Sequence, residues 1–265
     1  MKQATATFDF DDDAPLLAVE DAVVKYSTSG GDLTAVDGIS FSVSENEIFG
    51  LVGESGCGKS TVAQAVLSLL PSNGRIDSGS VRVRGVELTA LSKRELDALR
   101  WEHFSLISQG AMNALNPVHR ISDQIVEAIQ AHRDVATDEA RERVAELFEV
   151  VGLDPDRMDD YPHQFSGGMK QRAYIAMSLA LDPDLIIADE PTTALDVIVQ
   201  DQILKRLKEL RDDLGISVII ISHDISVIAE TCNRLGVMYS GKLMEYGNLK
   251  EIFDNPYNPY TLGLQ

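Results

Sequence analysis

Residues 53–61 constrain this chain more than any other segment, because their sequence, GESGCGKST, fits the pattern G-x-x-x-x-G-K-[ST]. The glycines allow a tight turn in which backbone N–H groups approach an anion closely. Lys59 offers a positive charge to terminal phosphates, and Ser60 offers a hydroxyl ligand to Mg²⁺. The pattern therefore predicts a loop that binds the phosphates of a nucleoside triphosphate. The residues expected to contact that ligand are Gly53, Glu54, Ser55, Gly56, Cys57, Gly58, Lys59, Ser60 and Thr61.

The sequence on either side of this loop predicts the local structure that a phosphate site needs. Residues 48–52 include a short apolar run that predicts a buried strand. Residues 62–70 predict a helix that ends near Pro71, and the N-terminus of a helix favours an anion through its dipole. A strand, a loop and a helix in this order strengthen the prediction of a phosphate site.

The chain alternates strands and helices, which predicts an α/β fold with a parallel sheet covered by helices on both faces. Residues 185–188 and 218–221 are fully apolar runs, as in buried parallel strands. Before the loop, residues 39–43 alternate apolar residues with serines, which predicts a strand with one solvated face. Residues 1–13 are expected to form a disordered acidic tail, and residues 14–265 a single folded unit.

A helical unit interrupts this alternation in the middle of the chain. Residues 121–132 and 138–151 both carry helical periodicity. Thr137 is the expected N-cap of the second helix, and Gly152 follows its expected end. We therefore expect a small helical subdomain inserted at about residues 111–180.

The charge of the chain restricts its partners. It contains 42 acidic and 23 basic residues, so its formal net charge is −19. Such a surface argues against nucleic acid as a partner, because phosphate backbones require basic groups. Halophilic proteins also use strongly acidic surfaces, and we expect adaptation to high salt here; an ordinary acidic cytosolic protein is the alternative.

The cysteines and the hydropathy pattern favour a soluble protein of a reducing cytosol. A structural disulfide between Cys57 and Cys232 is not expected, because Cys57 lies inside the loop. The polar N-terminal segment is unlike a signal peptide, and no apolar run approaches the ~20 residues of a membrane span. Such a chain could still dock onto a membrane protein.

Two carboxylates follow the apolar run at residues 185–188. Asp189 and Glu190 are expected at the carboxyl end of that strand, where open α/β sheets bind their ligands. Asp189 is the expected ligand of Mg²⁺, directly or through water. Glu190 is the expected general base, which polarises a water molecule.

A second anion site is indicated by Ser166, Gly167 and Gly168, which precede a helix expected over residues 169–181. A serine cap and bare glycine amides at a helix N-terminus attract an anion. One chain needs only one phosphate cradle, so we expect two chains to face each other, each triplet completing the other's nucleotide site. An ordinary capped helix is the alternative.

With these motifs the chain resembles the ATP-binding subunits of ABC transporters. Residues 165–171, FSGGMKQ, resemble the family's signature sequence L-S-G-G-x-x-Q, with phenylalanine in place of leucine. Residues 185–190 resemble the Walker B strand, and residues 193–196 the D-loop, with threonine where serine is commoner. Residues 222–224 resemble the segment of the switch histidine. The resemblance covers residues 16–247.

This resemblance implies a P-loop NTPase (RecA-like) core with an N-terminal antiparallel β subdomain and the helical insert. It implies that Gln109 senses Mg²⁺ and faces the transporter and that His223 contacts the γ-phosphate. Tyr26 is expected to stack on adenine, although a core or hairpin tyrosine would look the same. The implied catalytic residues are Glu190, His223, Gln109 and Lys59; the implied Mg²⁺ ligands are Ser60, Gln109 and Asp189. The nucleotide contacts implied beyond the loop are Tyr26, Ser166, Gly167, Gly168, Gln171 and Asp196.

Two segments resemble one subfamily, the ATPases of oligopeptide, dipeptide and nickel importers. Residues 112–117, MNALNP, resemble its M-x-S-L-N-P segment, although Gly110 departs from the acidic residue often found there. Residues 255–262 resemble the H-P-Y-T-x-x-L stretch that opens its C-terminal extension, which is expected to begin at about residues 248–265. Loop chemistry alone could also place Asn and Pro in both segments.

The implied function is an ATPase, converting ATP and water to ADP and phosphate, coupled to transport at the cytoplasmic face of the cell membrane. The implied partners are a second ATPase subunit in a head-to-tail dimer, two multi-span permease subunits and, indirectly, an extracellular solute-binding protein. The second ATPase subunit would be a copy of this chain or a related one. The transported solute stays open among dipeptides, oligopeptides, nickel complexes and sugars.

Two other functions fit part of the sequence. A soluble ABC-type ATPase of DNA repair or translation shares the motifs. Repair members, however, carry long coiled coils before the signature, translation members usually carry two cassettes, and the acidic charge disfavours nucleic acid. A P-loop kinase would use residues 53–61 but would leave residues 166–168 and His223 without a role.

Overall fold

The computed structural model describes residues 8–100, 102–108, 110, 114–193 and 196–265, which form two sheets and a set of helices. In chain order the elements are β1 (Leu17–Thr28), β2 (Gly31–Val43), β3 (Ile48–Val52), α1 (Lys59–Val66), β4 (Gly74–Val83), β5 (Val86–Glu87), α2 (Lys93–Leu99), β6 (Phe104–Ile107), α3 (Ile121–His132), α4 (Thr137–Val150), α5 (Gly167–Ser178), β7 (Leu185–Asp189), α6 (Val197–Leu214), β8 (Ser217–Ser222), α7 (Ile225–Thr231), β9 (Arg234–Tyr239), β10 (Lys242–Asn248), α8 (Leu249–Asp254) and α9 (Pro259–Leu264).

The larger sheet has six strands in the order β10-β9-β3-β8-β7-β6. Its strands run parallel except β10, which pairs antiparallel with β9. Every residue of β3, β7 and β8 is buried. Strands that are covered on both faces have nearly continuous apolar sequences, which explains why β7 and β8 stand out in the sequence as apolar runs.

The central strands divide their side chains between two hydrophobic clusters, one on each face of the sheet. In β8, Val218 and Ile220 belong to the cluster that includes α3, α4 and α5. Ile219 and Ile221 belong to the cluster that includes the smaller sheet. A shift of one residue would exchange all four side chains between the clusters, so the register of β8 is strongly specified.

The smaller sheet is antiparallel, with strand order β2-β1-β4-β5, and confirms the predicted N-terminal antiparallel β subdomain. Phe41 of β2 stacks on Phe49 of β3, with ring centroids 5.2 Å apart. The backbone N–H of Ser42 donates to the hydroxyl of Tyr246 in β10 at 3.0 Å. These contacts fix the smaller sheet against the larger one.

The middle helices α3, α4 and α5 pack against one another, and the fully buried ring of Phe148 lies edge-on to Phe165. The N-cap of α4 is Ala136, so the prediction of Thr137 was wrong by one residue. The Thr137 hydroxyl instead accepts a hydrogen bond from Gln130 Nε2 at 3.2 Å. No helix in the described ranges has the length and apolar character needed to cross a bilayer.

Part of the predicted acidic tail lies against the folded chain. The ring of Phe10 makes an edge contact with His103, with centroids 4.9 Å apart. The backbone N–H of Asp11 donates to the carbonyl of Arg84 at 2.9 Å. Residues 10 and 11 therefore contact the folded chain, residues 1–7 lie outside the described residues, and the disorder of the tail stays a prediction.

Candidate active site

The predicted phosphate loop joins β3 to α1 and borders a cleft of about 330 Å³. Gly58, with φ +112°, directly precedes α1, a backbone angle that side chains disfavour. Gly53 lies against β9, where a Cβ would come 2.2 Å from the carbonyl oxygen of Met238. The cleft is lined by Ala35, Ser55, Gly56, Gly58, Lys59, Ser60, Thr61 and Glu190.

The side chain of Lys59 is buried inside the curve of the loop, with 5% of the residue exposed. Its Nζ donates to the carbonyl oxygens of Gly53 and Glu54, at 2.6 Å and 2.9 Å. The positive charge thus lies where the loop's N–H groups are expected to converge on phosphate oxygens.

Asp189 ends β7 and is almost fully buried. Burial raises the pKa of its carboxyl group, and a hydrogen bond from Ser60 opposes part of this rise. Its Oδ1 is buried without a hydrogen-bond partner, which is costly for a charged oxygen. A hard cation such as Mg²⁺ would satisfy that oxygen, so Asp189 and Ser60 fit the predicted metal site.

A Mg²⁺ site of this kind does not need a cage made of protein side chains alone. The described part of the chain contains no group of three or more His, Cys, Asp or Glu side chains that could hold a metal ion. Mg²⁺ commonly keeps several waters and binds one or two protein ligands together with substrate phosphates. Two ligands beside the phosphate loop match that pattern.

Glu190 follows β7 with φ +50°, a left-handed angle that turns its side chain at the strand end. Its Oε2 accepts a hydrogen bond from the Thr193 hydroxyl at 2.9 Å. Its Oε1 lies 3.1 Å from Nδ1 of His223, which follows β8. The carboxylate is therefore held from two sides at the edge of the cleft. Sequence analysis places Thr193 in the D-loop segment but does not predict its hydrogen bond to Glu190.

The predicted signature segment lies at the start of α5 and borders another cleft, of about 360 Å³. Ser166 is the N-cap, as predicted, and accepts a backbone N–H of the first turn at 3.4 Å. A Cβ on Gly168 would come 2.6 Å from Val199 in α6, so glycine allows the two helices to approach here. Gln171 is buried, and Asp196 caps α6. The two clefts share no lining residue.

Tyr26 lies in β1 beside α1. Its hydroxyl donates to Oγ1 of Thr61 at 3.2 Å and lies 3.4 Å from Oε1 of Gln64. The ring is therefore next to the phosphate loop, and its contact with adenine stays a prediction. Gln109 lies outside the described residues, so its predicted role also stays a prediction.

The comparison with known families agrees with this geometry. A family model described as ABC transporter matches residues 36–193. This chain belongs to the ABC transporter family. It is 44% identical to the dipeptide transport ATP-binding protein DppD of Bacillus subtilis (strain 168), over 94% of this chain and 75% of that protein. It is 46% identical to the oligopeptide transport ATP-binding protein OppD of Escherichia coli (strain K12), over 94% of this chain and 74% of that protein.

Solved ABC cassettes have the same fold. The post-hydrolysis dimer of the ATP-binding cassette MJ0796, bound to ADP and Pi, matches with a TM-score of 0.78 and 25% identity. That match covers 88% of this chain and 98% of the cassette. The structure of cbiO1 from Clostridium perfringens matches with a TM-score of 0.80 and 29% identity, covering 91% of each chain.

We expect Asp189→Asn to raise the stability of this ABC cassette at neutral pH when metal and nucleotide are absent. Because burial raises its pKa above the ordinary 3.8, the folded state holds the Asp189 proton more tightly than the unfolded chain does. The protonated carboxyl group of Asp189 therefore stabilises the fold fully at pH values below its ordinary pKa. This stabilisation is lost as the pH rises through the pKa that the group has in the folded state. The melting temperature of the variant should exceed that of wild type at pH 7, by a margin that shrinks towards pH 4.

Magnesium provides the control for this prediction. Mg²⁺ with ATP should raise the melting temperature of wild type more than that of Asp189→Asn, because the amide is a poorer ligand for a hard cation. A variant that melts below wild type at pH 7 without metal would contradict the argument.

Proposed function

We propose that this chain is the ATP-hydrolysing subunit of a membrane importer for dipeptides or oligopeptides, with nickel complexes as the alternative cargo. The ATPase assignment is carried by the Glu190 carboxylate, which Thr193 and His223 hold at the cleft of the phosphate loop. The peptide cargo is supported by the names of the two bacterial transport proteins that are 44% and 46% identical to this chain. The subunit would act at the cytoplasmic face of the membrane.

In the proposed reaction, the loop and Lys59 neutralise charge on the phosphates of ATP. Glu190 takes a proton from the attacking water, whose oxygen bonds to the γ-phosphorus as the bond to ADP breaks. His223, beside Glu190, orients that carboxylate and contacts the γ-phosphate. Mg²⁺, when held by Ser60 and Asp189, would withdraw charge from the phosphate oxygens. Catalysis therefore depends on positioning and electrostatics.

The complete site is proposed to form between two ATPase subunits. The phosphate loop and the signature segment line different clefts of one chain, so a second chain is needed to bring them to the same nucleotide. In a head-to-tail pair, Ser166 and Gly168 of one subunit would face Lys59 and Glu190 of the other. A dimeric structure of the MJ0796 cassette, 26% identical to this chain, supports this arrangement.

An apolar groove of about 160 Å³ provides a contact for the proposed permease subunits. It lies between the end of α1, β6 and α5, and β6 leads directly to the segment of Gln109. Leu69, at its edge, is 44% exposed. An apolar helix of a permease subunit would cover this surface and link Gln109 to transport. The groove is lined by Leu67, Leu69, Arg100, Phe104, Ser105, Leu106, Tyr174, Met177 and Ser178.

The variant Glu190→Gln tests the ATPase assignment. Loss of the general base should lower kcat by about 10²–10⁴, while MgATP still binds, because the amide keeps the shape of the carboxylate. Phosphate release and the binding of a fluorescent ATP analogue measure the two effects. Glu139→Gln, an exposed acid in α4, is the matched control. Turnover near the wild-type rate in Glu190→Gln would contradict the assignment of Glu190 as the general base.

Complementation tests the shared site. Lys59→Ala and Ser166→Arg should each be inactive alone, because a symmetric dimer of either variant has two damaged sites. An equal mixture should recover up to about one quarter of the wild-type rate, because half of the dimers would carry one intact site. Undiminished activity of Ser166→Arg alone, or no recovery on mixing, would contradict a site shared between copies of this chain.

The permease contact is tested by Leu69→Glu in the full transporter complex. A charge in the groove should prevent co-purification with the permease subunits, because it would be buried without a partner, while MgATP binding is retained. Leu214→Glu, at a leucine that is 50% exposed at the end of α6, is the control. Equal recovery of the complex with both variants would exclude this groove as the contact.

A further inference from the structure

One peptide unit of the phosphate loop is held from both sides. The carbonyl oxygen of Gly53 accepts a hydrogen bond from Lys59 Nζ at 2.6 Å. The N–H of Glu54 donates to the hydroxyl oxygen of Tyr260 at 3.2 Å. This carbonyl and this N–H belong to the same planar peptide unit, so turning one turns the other. The C-terminal helix α9 therefore contacts the very unit that holds the loop lysine.

Tyr260 is itself fixed by the residues around it. Its ring packs against Tyr239, at the end of β9, with centroids 4.6 Å apart. Its backbone N–H donates at 2.9 Å to the side chain of Asn258, which caps α9. Glu245 of β10 accepts the N–H of Asn258 at 3.1 Å. Burial raises the pKa of the Tyr260 hydroxyl, which therefore stays neutral near pH 7.

Other hydrogen bonds at this point lie within the loop itself: the Glu54 carbonyl accepts from Lys59 Nζ at 2.9 Å and from the N–H of Cys57 at 3.2 Å. Gly53 has no side chain to anchor it, and the Met238 carbonyl leaves no room for one. The next contact with the β9–β10 hairpin is made by the N–H of Gly241, which donates to the carbonyl of Cys57 at 2.9 Å. The Tyr260 hydroxyl is thus well placed to set the orientation of the first peptide unit of the loop.

We propose that Tyr260 is a positioning residue for Lys59, acting through the peptide unit that joins Gly53 to Glu54. The proposal rests on the proposed function of the loop as the ATP site. It adds a role for the segment around residues 255–262, which the proposed reaction leaves unused. Without the hydroxyl, the unit turns more freely, and the lysine spends less time where the terminal phosphates of ATP need it.

The test compares Tyr260→Phe, which removes only the hydroxyl, with Tyr257→Phe, whose side chain is 95% exposed. Both variants of the chain are assayed for binding of a fluorescent ATP analogue with Mg²⁺, for KM and kcat, and for melting temperature. One neutral hydrogen bond corresponds to a change of about two- to tenfold in affinity. We expect Tyr260→Phe to weaken binding and raise KM by that factor, with a smaller change in kcat, because the lost hydrogen bond lies at the loop backbone and the Glu190–His223 contact is kept.

If the Tyr260 hydroxyl only stabilises the fold, Tyr260→Phe will lower the melting temperature but will not change KM more than kcat. That outcome overturns the proposal. Affinity equal to wild type in Tyr260→Phe overturns it as well, as does an equal loss in both variants. If the wild-type chain itself binds no MgATP analogue, that result contradicts the proposed function and, with it, the role of Tyr260. Weaker binding in Tyr260→Phe, with wild-type affinity in Tyr257→Phe, supports it.

Discussion

The site depends on a backbone that approaches its neighbours more closely than any side chain would allow. A Cβ on Gly53 would meet the carbonyl oxygen of Met238 at 2.2 Å, and one on Gly58 would meet that of Ala35 at 2.7 Å. Met238 belongs to the larger sheet and Ala35 to the smaller one, so the loop is pressed between the two sheets. It keeps its curve, with Lys59 inside it, only while both sheets keep their registers.

Three neighbouring parallel strands bring the remaining chemistry to this loop. In the order β3-β8-β7, their carboxyl ends carry the phosphate loop, the histidine and the two carboxylates. All three strands are buried along their full length. The spacing between Glu190 and His223 is therefore set mainly by sheet pairing, which is more precise than the geometry of surface connections.

The phosphate loop and the two carboxylates are predictable from sequence, because their chemistry demands particular residue types beside an apolar strand. Contacts between separate segments of the chain are harder to predict from the sequence. Spacing alone cannot tell that the Thr193 hydroxyl turns back onto Glu190 rather than towards solvent. Periodicity also extends α1 to residue 70, whereas the helix ends at Val66, because Ser68 takes φ +52° and the chain turns away. The apolar groove begins at that turn, and helical periodicity in the sequence does not predict the turn.

A buried carboxylate oxygen without a partner is a defect of the folded chain that a ligand can repair. Replacing Asp189 by a better-packed residue would remove the unpartnered oxygen and, with it, the carboxylate that could bind a metal ion. Selection therefore cannot gain the stability without losing the ligand. Bound ligand raises the folded fraction by mass action. The folded fraction of this chain in a cell would then depend on the concentration of Mg-nucleotide. Its stability would be set by the sequence together with the nucleotide that it binds.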